Sequence, residues 1–494
     1  MSPVTAGPEG LLLVLAIFGP ILGIPLMLVL GGRHAERIGL VLLPLGLGVA
    51  VAIAATVIRR GDALEYALGG WAPPLGVLLR ADGLSVAMLL TTAIVIGAAG
   101  LYARSDFGVP RGAPEARAPL AFWALLLTVW AGLNAAFVAS DLFTLFVALE
   151  LLTFGAVPLV SLSGRAETLT AALRYLVFAL LGSALFLLGV ALLYGSYGTL
   201  DIALLAERVR VEPAAQVAAA LMTVGLLAKT ALFPLHIWLP AAHAGAPAAA
   251  SAVLSGLVVK GSFVLIIRVW VDALPGVATP AAAQVLAALG AAAILVGSVL
   301  ALRQARLKML VAYSTVAQIG YLFLAFPLAS ATQFGTAAWT GGILQAVSHA
   351  LAKASMFLAA GLIAKAIGHD RIADMGGIGR VLPTTLFAFG LAGFSLMGLP
   401  PSGGFVAKWL LLRAAIEGAQ WWWALVILSG GLLTGAYLYR VLSRALAQSG
   451  KTPALLGPVD RRGELLVLGL ALLSVLVGLL PLAALSIVHI GRAL

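Results

Sequence analysis

Four of the seven lysines in this chain lie well inside apolar segments that are long enough to cross a lipid bilayer. They are Lys229, Lys260, Lys353 and Lys408. One acidic residue, Glu150, lies equally deep in an apolar segment, and His349 precedes Lys353 by about one helical turn. A charged lysine at the centre of a membrane helix costs roughly 3 kcal/mol on insertion scales, so such residues usually serve a function. Buried amines and carboxyls that exchange protons through water form a proton relay, and these six residues predict one.

Proline and histidine accompany two of the four lysines. Pro234 follows Lys229, and the pair Pro400 and Pro401 precedes Lys408 in the stretch GLPPSGG. Proline removes a backbone hydrogen bond, so both helices are predicted to break near their lysine. Two histidines follow the first break, and for these a relay role and a structural role remain equally open. They are His236 and His243.

The composition is that of a membrane protein that crosses the bilayer many times. Hydrophobic residues make up 62% of the 494 residues and charged residues 10%, and the mean hydropathy is +1.10. A soluble protein cannot bury this much apolar surface. We count fourteen apolar segments of membrane-spanning length and number them span 1 to span 14 in chain order. They run near 10–31, 38–58, 82–103, 119–138, 141–163, 170–197, 214–235, 247–271, 281–302, 306–327, 336–366, 383–412, 421–447 and 464–490. The lysine-bearing broken spans are span 7 and span 12, and this five-span separation suggests repeated halves.

Several function classes are excluded by what the sequence lacks. Cysteine is absent, which excludes disulfides, thiolate metal sites and iron–sulfur clusters. Neither a phosphate-binding loop nor a dinucleotide-binding fingerprint is present, and no metal-ligand spacing occurs. The net charge of +11 comes without basic runs interleaved with aromatic residues, so we expect no nucleic-acid partner. We therefore predict no metal, no bound cofactor and no catalytic or redox site in this chain, which leaves open whether it serves an enzyme as a subunit.

Lysine and arginine are concentrated in the odd-numbered loops, for example Arg303, Arg306 and Lys308 after span 9. Positively charged loops remain in the cytoplasm. The sequence therefore predicts a multi-pass protein of the cell inner (plasma) membrane with both termini on the outer side.

Four stretches of this chain carry a resemblance to a known family. They are AKTALFPLHIWLPAAHAGAPAAASAVLSGLVVKGSFVLIIR (228–268), RQARLKMLVAYSTVAQIGYLFLA (303–325), SHALAKASMFLAAG (348–361) and GLPPSGGFVAKWLLL (398–412). They resemble the antiporter-like subunits of respiratory complex I, the A and D subunits of Mrp-type cation/proton antiporters, and the equivalent subunits of energy-converting hydrogenases. The likeness extends from span 4 to span 13.

The resemblance implies an all-α integral membrane fold with about fourteen transmembrane helices, two inverted five-helix repeats and broken helices 7 and 12. It implies four regions: 1–118 with helices 1–3, 119–271 as the first repeat, 272–447 as the second repeat, and 448–494 with helix 14. Glu150 and Lys229 would then form the first half-channel pair. A central axis of Lys260, His349 and Lys353 would lead to Lys408.

The chain departs from the family pattern at three positions. Relatives commonly read LPDAH and HAEAP where this chain has Ala241 and Gly245, and they often have a histidine where it has Gln318. The loss of an acid and a histidine implies a narrower proton path or a divergent parent complex.

Taken together, the sequence predicts a proton-translocating membrane subunit of a hetero-oligomeric complex in the lipid bilayer. The preferred parent is an Mrp-type monovalent cation/proton antiporter, in which this chain resembles the D subunit and Na⁺ is the candidate second ion. The first alternative is a proton-pumping subunit of a complex I-like NADH:quinone oxidoreductase or membrane-bound hydrogenase. The second is a coupling or scaffold subunit, without transport of its own, in a redox or inorganic-carbon-uptake complex.

Overall fold

Membrane-length helices dominate the structure. The computed structural model describes residues 7–108, 117–330, 335–447, 455–457 and 460–492. Within these ranges, thirteen helices are long and apolar enough to cross a membrane. The predicted span 12 is a further crossing, made of the shorter helices Pro383–Met397 and Gly403–Glu417. The predicted all-helical membrane fold of about fourteen spans is confirmed.

The chain forms two compact units, of which unit 1 contains residues 1–230, 257–279 and 486–494. Its long helices are Leu11–Leu30, Gly32–Arg60, Gly83–Phe107, Arg117–Val138, Leu142–Ser161, Ala166–Tyr197 and Pro213–Thr230. The helix Val259–Ile267, which continues as the π-helical turn Arg268–Ala273, completes this set. The connections contain the short helix Ile202–Arg208 and an antiparallel hairpin of β1 (Leu64–Ala67) and β2 (Leu78–Ala81).

Unit 2 contains residues 231–256 and 280–485. Its helices are Trp238–Gly245, Ala248–Val253, Pro280–Leu302, Leu307–Ser330, Gly335–Ile367, Pro383–Met397, Gly403–Glu417, Trp421–Leu446 and Arg461–Leu476. The helix Gly335–Ile367 packs against five of the others and is apolar on every side, which is typical of a central helix. It carries two of the residues predicted to form the relay, His349 and Lys353, at its buried centre.

In each unit, one pair of helices makes close backbone contacts at matching positions. In unit 1, a Cβ atom on Gly132 would lie 3.1 Å from the backbone nitrogen of Leu152. In unit 2, a Cβ atom on Gly297 would lie 2.7 Å from the backbone nitrogen of Ala317. The sequence numbers of the two contacting residues differ by 165 between the units, from 132 to 297 and from 152 to 317. Spans 4 and 5 of unit 1 therefore correspond to spans 9 and 10 of unit 2.

Both predicted helix breaks are present. In span 7 the helix ends at Thr230 and resumes at Trp238, and Pro234 lies in the interruption. In span 12 the break from 398 to 402 contains Pro400 and Pro401. The chain leaves the first half of span 12 through Gly398, whose φ of 87° lies in the left-handed region that favours glycine.

Candidate proton-transfer site

Lys229 lies at the end of the helix Pro213–Thr230, where the backbone break begins, and only 7% of the residue is exposed. Its ammonium donates to Thr153 Oγ1 at 2.8 Å and to the Leu149 carbonyl at 3.3 Å. It also forms an ion pair with Glu150, at 3.4 Å from Oε1. Ser183 donates a hydrogen bond to the same carboxylate oxygen. The structure thus brings together the predicted pair of Glu150 and Lys229 and adds two hydroxyl groups to it.

Two glycines allow this cluster to form. A Cβ atom on Gly225 would lie 2.3 Å from the carbonyl oxygen of Gly182, and one on Gly182 would lie 2.5 Å from the carbonyl oxygen of Gly225. The helices of spans 6 and 7 therefore touch through their backbones one turn before Lys229. This close approach brings Ser183, the neighbour of Gly182, to the carboxylate of Glu150.

Lys260 is fully buried in the helix Val259–Ile267, in the same unit as Lys229. Two residues further along that helix, the Ser262 hydroxyl accepts a hydrogen bond of 3.0 Å from Thr230. A cavity of about 10 Å³ is lined by Lys229, Thr153 and Ser262, among others. That volume is close to the space that one water molecule needs. Hydroxyl groups and a small cavity therefore lie between the two helices that carry Lys229 and Lys260.

Lys353 occupies the centre of unit 2 and is also fully buried. Its ammonium donates to the carbonyl oxygen of Val311 at 3.1 Å and to the hydroxyl of Ser314. His349, one turn earlier on the same helix, is 1% exposed. Both residues predicted for the central axis in this unit are therefore withdrawn from solvent.

Lys408 lies in the second half of broken span 12, and its ammonium reaches back to the first half. It donates to the Leu396 carbonyl at 2.5 Å and approaches the Met397 carbonyl at 3.4 Å. The last carbonyls of a helix have no partner within that helix, and they form the negative end of its dipole. The ammonium also lies 4.2 Å from the ring centroid of Tyr321, a cation–π contact. Among the described residues, no carboxylate forms an ion pair with Lys408.

The two histidines whose roles the sequence left open lie in unit 2. His243 is fully buried and stacks on Phe357, with ring centroids 4.5 Å apart. His236 lies in the interruption of span 7 and stacks on Phe233 at 5.4 Å. Stacking on phenylalanine gives each ring a packing role without deciding whether it also carries protons.

A second group of buried charges lies in unit 1, at the ends of spans 3 and 8. Arg268 pairs with Asp82 at 2.5 Å and with Asp272 at 2.8 Å, and Arg492 pairs with Asp272 at 2.8 Å. Asp82 also accepts a hydrogen bond from the backbone nitrogen of Ser85 and thereby caps the start of the helix Gly83–Phe107. A cavity of about 420 Å³ borders this group.

Sequence reasoning missed the neutral partners of the lysines. Thr153 follows Glu150 by three residues and therefore shares its helix face, a spacing from which it could have been identified. Ser183, Ser314 and Tyr321 carry no comparable signal, because none of them lies within one helical turn of a predicted relay residue. Packing alone brings them near Glu150, Lys353 and Lys408, respectively.

Comparison with known proteins identifies the family of this chain. Residues 139–434 match the family described as NADH:quinone oxidoreductase/Mrp antiporter, TM. The chain is 36% identical over 401 residues to the N subunit of NADH-quinone oxidoreductase from Desulforudis audaxviator, covering 80% of this chain and 78% of the relative. It is 33% identical over 393 residues to the D subunit of the Na⁺/H⁺ antiporter from Alkalihalophilus pseudofirmus, covering 78% and 76%.

A solved structure extends the likeness over nearly the whole fold. A chain of the Mrp complex from Dietzia superposes with a TM-score of 0.87 at 26% identity, and the match covers 98% of each chain. The predicted resemblance is thereby confirmed. The chain belongs to the NADH:quinone oxidoreductase/Mrp antiporter family of antiporter-like membrane subunits.

Proposed function

We propose that this protein moves protons across the membrane as the D-type component of an Mrp-type monovalent cation/proton antiporter. The observation that carries the proposal is the cluster at the break of span 7, where Lys229 meets Glu150 and two hydroxyls. A lysine, a carboxylate and hydroxyl groups buried together provide donors and acceptors for a mobile proton, at a place where the helix is interrupted.

In unit 1, Lys229 and Lys260 hold the proton in turn. Glu150 sets the proton affinity of Lys229 through its charge, because an opposite charge this close changes the balance between ammonium and amine. The hydroxyls of Thr230 and Ser262 lie on the two lysine-bearing helices and are hydrogen-bonded to each other. These contacts support a path between the two lysines through hydroxyl groups and water.

In unit 2, His349 and Lys353 pass the proton along the central helix, and Lys408 exchanges it with the opposite side of the membrane. The carbonyls at the end of Pro383–Met397 hold the Lys408 ammonium, and a change at the break of span 12 would alter that support. His236 and His243 are candidates for a supporting part in proton entry, beside their packing on aromatic rings.

The relatives support two parent complexes. An Mrp-type antiporter is favoured by the TM-score of 0.87 in the superposition on a chain of the Dietzia complex. A complex I-like parent is favoured by the 36% identity to an N subunit of NADH-quinone oxidoreductase. In either complex, this chain would work beside other membrane subunits. We place it in the plasma membrane with both termini outside, on the strength of the positively charged odd-numbered loops.

The test is proton and sodium flux in membranes that contain the whole native complex, with and without Lys229→Ala. Sodium-dependent proton exchange without any electron donor supports the antiporter, provided that Lys229→Ala and Lys408→Ala each lower it by about 100-fold, as expected for a proton-transferring group. Lys365→Ala is the matched control, because Lys365 is exposed at a helix end.

Other outcomes decide between the alternatives. Flux that requires the oxidation of a reductant assigns the chain to a redox pump. An intact complex without flux under either condition identifies a scaffold subunit. Loss of the complex from the membrane in Lys229→Ala would contradict the transport role of that lysine, since its removal would then act through assembly.

A further inference from the structure

We propose that three hydroxyl groups in unit 2, those of Ser314, Tyr437 and Thr434, carry protons from Lys353 towards Lys408, and that Gln318 holds them in place. The inference rests on the proposed function. It adds to the transfer between these two lysines side chains that lie outside the predicted relay.

Two facing helices carry the groups with the same spacing. On Leu307–Ser330 the polar residues Ser314, Gln318 and Tyr321 recur at intervals of four and three residues, which places them on one face. On Trp421–Leu446 the positions Gly430, Thr434 and Tyr437 recur at the same intervals. The two faces meet, since the Gln318 amide donates to the Thr434 hydroxyl at 3.3 Å.

The path begins at Ser314, whose hydroxyl accepts a hydrogen bond from the Lys353 ammonium. Ser314 directs its own proton to the carbonyl of Val311 at 2.9 Å. Rotation about a single bond redirects that proton, because a hydroxyl hydrogen turns freely to suit its acceptors. Ser314 can therefore take a proton from Lys353 and give up its own.

Tyr437 is the central group. It is fully buried, and its hydroxyl faces Ser314, Gln318 and Thr434 without reaching full hydrogen-bond geometry to any described group. A buried hydroxyl left without a partner is unfavourable, because it loses its hydrogen bonds to water and gains none in the protein. A proton path needs a hydroxyl that can accept from more than one neighbour. This role explains why a tyrosine, rather than a phenylalanine, occupies this position.

Gln318 positions the hydroxyls rather than carrying the proton. Its amide nitrogen donates to Thr434, and its amide oxygen accepts from Gln345 at 3.0 Å. An amide has fixed donor and acceptor ends and is not an acid or base near neutral pH, so it orients its neighbours. Thr434 itself donates to the Gly430 carbonyl at 2.8 Å.

The path ends where Tyr321 lies beneath Lys408. The Lys408 ammonium is 4.2 Å from the centre of the Tyr321 ring. The hydroxyl of the same ring lies against Gly430, where a Cβ atom would come within 2.2 Å of it. Tyr321 thus extends from the Lys408 ammonium to the helix turn that carries Thr434. One water at the edge of the ring would complete the connection.

The proton balance closes over one transfer. The Lys353 ammonium gives a proton to Ser314, the Ser314 proton passes to Tyr437, and the Tyr437 proton passes to Thr434. The Thr434 proton then reaches the Lys408 amine through the water. Each hydroxyl ends with one proton, Lys353 becomes neutral and Lys408 becomes an ammonium.

The test is Tyr437→Phe in the whole native complex, which removes one oxygen atom and leaves the ring. We expect proton flux per complex to fall about tenfold, which corresponds to a barrier raised by about 1.4 kcal/mol. The ratio of flux in H₂O to flux in D₂O should rise, because proton transfer becomes the slow step. Tyr102→Phe, the same change at an equally buried tyrosine in unit 1, is the matched control.

A second pair of variants shows whether a loss of flux comes from a lost hydroxyl or from misfolding. Thr434→Val removes the hydroxyl and should slow flux, whereas Thr434→Ser keeps it and should retain most of the flux. If Lys408→Ala abolishes flux while Tyr437→Phe and Thr434→Val behave like Tyr102→Phe, the hydroxyl path is wrong and the relay stands. If Lys353→Ala and Lys408→Ala leave flux unchanged, the proposed function fails first.

Discussion

Lys229 and Lys408 both lie at the break of an interrupted helix, yet the structure supports their charges in different ways. Lys229 has a carboxylate at 3.4 Å and two oxygen acceptors. Lys408 has the carbonyl end of a half-helix and the face of an aromatic ring. A full counter-charge acts strongly at this distance, whereas a helix end contributes about half a charge. The first site is thus an ion pair, and the second is a cation held by dipoles.

The internal repeat locates the origin of this difference. By the shift of 165 positions seen in the helix contacts, the residue of unit 2 that corresponds to Glu150 is Thr315. Its hydroxyl pairs with Ser255 at 2.9 Å. The same helix position therefore carries an acid in one repeat and a neutral hydroxyl in the other. One backbone design can hold a buried lysine with or without a counter-ion.

Of the three substitutions that test this comparison, the one that removes the counter-charge of Lys229 should have the largest effect on proton flux. Glu150→Gln keeps the shape and the hydrogen bond from Ser183 but loses the charge. We expect proton flux to fall by about tenfold or more. An opposite charge at this distance changes the proton affinity of the Lys229 amine by one or more powers of ten, and Glu150→Gln removes it. Thr315→Val, at the corresponding position of unit 2, is the control. Equal effects of the two variants, measured as flux per assembled complex, would contradict the comparison.

Removing the aromatic face should produce a smaller effect. Tyr321→Leu eliminates one cation–π contact, which stabilises the ammonium less than a full counter-charge does, so it should lower flux by a smaller factor than Glu150→Gln. Tyr321→Phe keeps the ring face and should stay close to the native rate. A collapse of flux in Tyr321→Leu to the level of Lys408→Ala would mean that the ring, rather than the helix end, is the main support of the ammonium.

The smallest effect on flux should come from substituting a buried charged residue that lies apart from the lysines. Arg268→Gln leaves Asp82 buried without its partner, so we expect a loss of stability of about 3–5 kcal/mol and less assembled complex. Flux per remaining complex should stay at the native level. Blue-native gels combined with flux assays separate the two quantities. A fall in flux per complex would place this ion network on the conduction path.

Much of the fold could be predicted because its signals are local. The length of each apolar segment sets a membrane span, and proline at Pro234 and Pro400 removes backbone hydrogen bonds wherever the helix packs. The lysine depths also follow from the sequence, because the centre of an apolar segment lies near the centre of the bilayer. These features depend on residues that are close in the chain.

The surroundings of the lysines could not be predicted in the same way. Arg268 is 7% exposed and paired with Asp82, 186 positions away, and no local pattern in the sequence indicates that pairing. Ser183 and Tyr321 likewise look like ordinary residues of apolar helices. Which face of a membrane helix meets which neighbour depends on side-chain packing, because lipid gives apolar helices little preference for one face over another.

The sequence by itself determined that this chain crosses the membrane many times, that spans 7 and 12 are broken, and that one acid and four lysines lie deep within it. It could do so because burial of apolar surface and the loss of backbone hydrogen bonds at proline act over short stretches of chain. Only the tertiary structure decided that Lys229 meets a carboxylate 79 positions earlier, whereas Lys408 meets the carbonyls 11 and 12 positions earlier. That choice depends on the close backbone contact of Gly182 with Gly225 and on the left-handed turn at Gly398, which are properties of the packed helices.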